Sequence, residues 1–157
     1  MAAPVARRMR FRVKHGVFIE RPPGEVFDFV SDVENSQKWQ ATLFDTGDQQ
    51  ELANGKLRNR SKVRDSRNIL GKKVESEWQV IDFQPGKTIT MELSEGSPVY
   101  WKMSFSVEQV DGGTFLTGEG GGDLGEVGMT PAAFGRSCQT MLQNDLNTLR
   151  DLLEKAG

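Results

Sequence analysis

Behind Thr130-Pro131, the chain places Phe134, Cys138, Met141, Leu142, Leu146, Leu149, Leu152 and Leu153 at helical spacing. Threonine caps a helix N-terminus, and proline suits the first helical turn. Gly157, just past Lys155, is a natural stop. The pattern predicts one amphipathic helix of about 25 residues, on the order of 37 Å long. From Trp39 to about Gly122 no helical pattern occurs, only short runs bounded by turn residues. A sheet with one apolar face and one long amphipathic helix must each bury that face, and each does so against the other. The expected class is therefore α+β: a curved antiparallel sheet of about six to seven strands wrapped around a long C-terminal helix.

The turns are Asn54-Gly55, Gly71, Pro85-Gly86, Ser97-Pro98 and Gly112-Gly113. Between and around them the expected strands are Leu57–Val63, Val74–Val80, Thr88–Leu93, Val99–Val107 and Thr114–Thr117. Ahead of the meander, Phe11, Val13, His15, Val17 and Ile19 alternate with mostly polar residues, a strand with one apolar face. Pro22-Pro23 ends that strand and opens a helix whose Val26, Phe27 and Val30 share a face. Asp32 caps a second short helical turn that ends near Trp39. No repeat or linker divides the chain, so residues 1–157 are expected to be one domain, with 1–10 a flexible N-terminus.

With 157 residues the chain can bury a sizeable core without staples. The formal charge of −2 leaves no global field for nucleic acid or anionic membrane, so neither is an expected partner. Apolar runs fall well short of the roughly 20 residues of a membrane span, which argues against membrane insertion. Arg7-Arg8 is similar to a twin-arginine export signal, but no apolar segment follows; the basic end reads as a solvated lead into the first strand. A single cysteine, Cys138, cannot form an internal disulfide, which points to a reducing, cytoplasmic setting.

The order strand, two short helices, meander, long helix is carried by specific residues. They are Ile19-x-Arg21-Pro22-Pro23-x-x-Val26-Phe27, then Asp32 and Trp39, and Gly71 before Val74-Glu75. Phe83-Gln84-Pro85-Gly86, Gly112-Gly113-Thr114 and Asp145-Leu146-x-x-Leu149-x-x-x-Leu153-Glu154 complete the set. Together they resemble the START-like helix-grip (SRPBCC) superfamily, its polyketide cyclase/dehydrase branch above all, over nearly the whole chain. The resemblance implies a cavity between sheet and helix that holds a small apolar molecule. Members include carriers, cyclases, dehydratases and chaperone co-factors, and fold alone does not choose among them. The branch has no shared catalytic motif that maps onto these positions.

Two residues are candidate proton carriers. Asp145 falls in the middle of the apolar stripe of the last helix. There it either faces the pocket with a raised pKa or leans to an edge and pairs with a sheet Arg, Lys or hydroxyl. His15 shares a face with Val13 and Val17, near the start of its strand; it is either a proton carrier or a satisfied structural histidine. Trp78 and Trp101 lie on inward faces, as do Met91 and Met103, and such stripes serve as core, as ligand wall or as both. Trp39 is expected near the pocket mouth. On the last helix, Phe134, Cys138 and Met141 face the same space.

Arg58, Arg60, Lys62 and Arg64 alternate with Leu57, Asn59, Ser61 and Val63, which puts the basic face outward, with Glu75 and Glu77 as cross-strand charge partners. Asn59, Ser61, Ser76 and Thr114 are then the inward polar groups that orient a ligand. A lone histidine and a lone cysteine make no metal site, and no cofactor is expected. Gly120-Gly121-Gly122-Asp123-Leu124-Gly125 matches G-x-G-x-x-G, but no parallel strand with an acidic residue follows. Its expected role is a flexible corner before the helix, and a mobile flap over the pocket. The functional expectation is a protein that binds a small hydrophobic or aromatic ligand, or a polyketide cyclase/dehydratase-like enzyme that acts on one by shape and one or two proton carriers. The alternatives are a non-catalytic lipid or small-molecule carrier and a protein-interaction module. The active unit is expected to be a monomer or homodimer.

Overall fold

A computed structural model describes residues 9–41, 43–45, 49–50, 59–69, 72–94, 99–123 and 129–155. Strand β1 (Phe11–Ile19) leads into helix α1 (Pro23–Ser31), a 3-10 turn (Val33–Asn35) and helix α2 (Ser36–Trp39). Then come β2 (Leu43–Asp45), β3 (Gln49–Gln50), β4 (Lys62–Ile69), β5 (Lys72–Gln84), β6 (Thr88–Leu93), β7 (Tyr100–Val110) and β8 (Gly113–Asp123). Helix α3 (Pro131–Lys155) ends the fold. All pairings are antiparallel, in the order β1-β8-β7-β6-β5-β4-β2, with β3 also on β4. Among the described residues the sheet thus has eight strands, two of them short. The α+β helix-grip architecture holds, with its two short helices after the first strand.

Local chemistry sets the corners. Pro23 occupies the first turn of α1, where a missing N–H costs nothing. Asp32 Oδ1 accepts from the Glu34 N–H at 3.0 Å, and Thr130 Oγ1 accepts from the Ala133 N–H at 3.1 Å. Each hydroxyl or carboxylate satisfies a donor that the helix itself leaves without a partner. Gly86 and Gly112 take the left-handed, positive-φ conformation that tight hairpin turns require.

Helix α3 lies along β1, running the same way, and also touches β8 and α2. The two are tied at both ends. The Gln139 side chain accepts from the Lys14 N–H at 2.9 Å and donates to the Lys14 carbonyl at 2.6 Å. Further on, Arg21 Nε donates to the Leu153 carbonyl and Glu154 accepts from the Glu20 N–H, each at 2.9 Å. Because β1 is the edge of the sheet, these contacts occupy backbone groups that would otherwise be free to pair with another chain. Beneath them Ile19, Val26, Leu116, Leu146 and Leu149 have no measurable exposure. Full burial of a side chain this size contributes about 1.5–3 kcal/mol.

Two expectations change here. Leu57 falls outside the described residues, Asn59 and Arg60 form an exposed turn, and the strand runs instead from Lys62 to Ile69. Arg60 has a positive φ, which takes it out of any strand. Gly120, Gly121 and Gly122 are not a corner or flap: they lie inside β8, paired on one side to Val13, Arg12 and Phe11 and on the other to Met103, Lys102 and Trp101. A Cβ on Gly120 or Gly122 would run into the carbonyl of Lys102 or Tyr100. Close backbone approach, not flexibility, is what requires glycine there. Asn54-Gly55, Gly71, Ser97-Pro98 and the basic pair Arg7-Arg8 lie outside the described residues.

Candidate functional site

The inner face of the sheet is unevenly filled. Near β1, where α3 lies against the sheet, Phe11, Val13, Val17 and Ile19 are buried. Farther across, Ser76, Met91, Trp101 and Met103 point to the same side as the core yet remain half-buried, and Met141 and Asp145 on α3 match them. These residues pack against the core yet keep part of their surface exposed, and they are the candidate lining of a site between the sheet and α3.

Aromatic rings run from the buried core toward these residues in a continuous row. Phe134 meets Phe11 edge-on at 5.2 Å between ring centres, and Phe11 meets Trp101 at 5.5 Å. Trp101 in turn meets Trp78 at 6.5 Å, and the Arg67 guanidinium sits 5.7 Å from the Trp78 ring centre. Edge-on geometry at these distances is favourable beyond simple burial. A guanidinium at that distance from an indole adds a cation–π attraction.

The row ends in charge. Arg67 Nε contacts Asp65 Oδ2 at 3.0 Å, and Asp65 is almost fully buried. Burial pushes the Asp65 carboxyl above its ordinary pKa. The Arg67 charge and hydrogen bond oppose the shift, and the Trp78 N–H helps them without reaching hydrogen-bond geometry. Asp65 is paired with Ser76 in the register of the β4–β5 ladder. Neither Asp65 nor Arg67 is among the expected site residues. The signal is present in the sequence: they continue the alternation Ser61, Val63 along one face of β4.

Asp145 completes the group from the helix side. Its Oδ1 accepts from the Ala41 N–H at 3.1 Å, and burial raises its pKa to about 6 against the pull of that bond and of the Arg67 charge. Asp145 is half-buried, its hydrogen bond goes to a backbone N–H, and the charge of a sheet arginine acts on it. A carboxyl that titrates near neutrality can both take and give a proton under cellular conditions.

The other candidates are distributed as follows. Trp39 is buried edge-on against Phe105 at 5.5 Å. His15 is half-buried at the middle of β1, opposite Gly118, and four strands separate β1 from β4 in the sheet order. Ser61 is fully buried and faces inward. Asn59, expected inward, is exposed in the turn. Thr114, expected to orient a ligand, donates its hydroxyl to the Arg21 carbonyl at 2.7 Å; it ties β8 to the Pro-Pro corner instead. Cys138 is buried, and desolvation pushes its thiol up to about 12, so it is neutral packing. On the outer face Arg64 pairs with Glu77 at 3.4 Å, across the ladder.

Comparison with known proteins agrees with this fold. The family described as polyketide cyclase / dehydrase and lipid transport matches residues 10–154. No curated protein matches the sequence. Among solved structures, a START superfamily protein from Mycobacterium smegmatis is similar at TM-score 0.68 and 17% identity, over 92% of this chain and 95% of that one. The Aha1 dimer from Colwellia psychrerythraea gives 0.64 and 20%, over 91% and 96%. DynU16, from the dynemicin biosynthetic locus, gives 0.66 and 16%, over 92% of this chain and 48% of its own. At these identities the likeness establishes the fold.

Proposed function

The chain belongs to the polyketide cyclase / dehydrase and lipid transport family, and we propose that it binds a small hydrophobic or aromatic molecule between the inner face of its sheet and α3. One observation carries this reading. Inward-facing Met91, Trp101, Met103 and Met141 stay half-exposed while Phe11, Val13, Val17 and Ile19 of the same face are buried. Methionine and tryptophan adapt well to apolar guests. Native mass spectrometry of the gently purified protein tests it, followed by titration with 1-anilinonaphthalene-8-sulfonate. Retained apolar mass or saturable dye binding that Met103→Glu abolishes is the expected result. An empty protein that binds no dye refutes it.

A second reading, favoured by Asp145, adds chemistry to binding. In a polyketide cyclase/dehydratase-like enzyme the pocket would fold a reactive chain and exclude water. Asp145, titrating near 6, would move the proton, and Arg67 with Asp65 would hold the developing charge. Asp145→Asn would then lower turnover by about 10² or more with the fold intact. A carrier would lose nothing by the same change. Cytoplasmic residence rests on the lone Cys138. Among the described residues no helix is long and apolar enough to cross a membrane. We keep the active unit as a monomer or homodimer.

A further inference from the structure

Three inward polar atoms at the far end of the aromatic row have no hydrogen-bond partner among the described residues: Trp78 Nε1, Trp101 Nε1 and Asp65 Oδ1. Trp78 is only 7% exposed and Asp65 6%. Buried polar groups are paired in nearly all native proteins, and an unpaired one asks what completes it. The arrangement is specific. Arg67 holds Asp65 by Oδ2, so Oδ1 is the oxygen left over. Trp78 lies between the other two, influencing Asp65 on one side and meeting Trp101 edge-on at 6.5 Å on the other. Two donors and one charged acceptor thus form a run of neighbouring side chains on β4, β5 and β7, at the far end of an otherwise apolar wall.

We propose that this run is a recognition site for the polar end of the ligand. The ligand class is a flat apolar molecule carrying both a hydrogen-bond acceptor, such as a ketone oxygen, and a donor, such as a hydroxyl. The indole N–H groups take the acceptor and Asp65 Oδ1 takes the donor. A plain hydrocarbon or acyl chain would seal all three polar atoms away unpaired, which the site penalises. The atoms are shielded from solvent, so the ligand reaches them by parting the two indoles, and its ring then replaces their mutual contact. This rests on the binding reading given above and sharpens it from an apolar ligand to a hydroxy-ketone one.

Isothermal titration calorimetry with four probes of one shape tests it: 6-acetyl-2-naphthol, 2-acetylnaphthalene, 2-naphthol and naphthalene. The hydroxy-ketone should bind at least about tenfold more tightly than either single-function probe, with naphthalene weakest. Trp78→Phe keeps an aromatic ring but removes the N–H along with the indole's second ring. It should weaken the two ketone probes about tenfold more than it weakens 2-naphthol and naphthalene, which report the lost stacking alone. Trp101→Phe gives an independent second reading if the first variant folds poorly. Equal affinity for all four probes, or an order that neither variant alters, overturns the polar-end site and leaves the cavity standing. No binding of any probe overturns the cavity reading and this one together.

Discussion

Replacing Asp145 by Asn should uncouple the stability of the fold from pH in a defined window. In the folded chain the carboxyl holds its proton up to about 6, against an ordinary value of 3.8. Between those values the folded state therefore binds more protons than the unfolded one. Raising the pH through the window costs stability, and above it the penalty is constant. Two pKa units at about 1.36 kcal/mol each set a ceiling of about 3 kcal/mol. Asp145 is half-buried, and water that reaches it screens part of this, leaving about half of the ceiling. Asparagine keeps a side-chain oxygen for the Ala41 N–H but cannot ionise. Urea unfolding of both proteins at pH 4, 5, 6, 7 and 8 gives the comparison. The variant's stability relative to the parent should rise by that amount as the pH climbs through the window, and then level off. Parallel curves, or a difference that shrinks as pH rises, would refute the account of Asp145 as a desolvated acid.

Four further outcomes follow from the packing. Arg67→Met strands Asp65 and should destabilise the fold by about 3 kcal/mol, while Asp65→Leu with Arg67→Met together should recover most of the loss, by thermal or urea unfolding. Leu149→Ala empties a site with no exposure and should cost about 2–5 kcal/mol in the same assay. Gln139→Ala removes both bonds to the Lys14 backbone; it should cost about 1 kcal/mol and speed hydrogen exchange at the Lys14 amide. Cys138 should resist iodoacetamide at pH 8 in the native protein and react once urea unfolds it.

The fold is largely legible in the sequence because its strongest signals are periodic. The last helix runs from Pro131 to Lys155 as its leucine spacing and Thr130 cap predict. The Pro-Pro corner, the first strand and the β6 strand also stand where their patterns put them. The strand before Gly71 is harder to place because its inward face changes character at Asp65 and Arg67. Charged residues look outward to a one-residue view, and only their pairing at 3.0 Å makes inward placement tolerable. The same limit hides the better half of the site. Asp145 stands out because it interrupts an apolar stripe on a helix. Asp65 and Arg67 merely continue a mixed strand. Thr114 fails for the opposite reason: its inward direction is right, but a carbonyl from the Pro-Pro corner has already claimed its hydroxyl.

The pairing of β1 with β8 matters for synthesis as well as for shape. Phe11 joins Gly122 and Ile19 joins Thr114, and α3 closes over both strands. A ribosome adding about 5–20 residues per second releases β1 on the order of ten seconds before its partners. During that interval an apolar strand waits without its partner, and the β1 edge of the sheet stays incomplete. Folding is late and cooperative, governed by contacts of long sequence separation. Premature termination anywhere before α3 would leave β1 exposed and hand the fragment to chaperones and proteases.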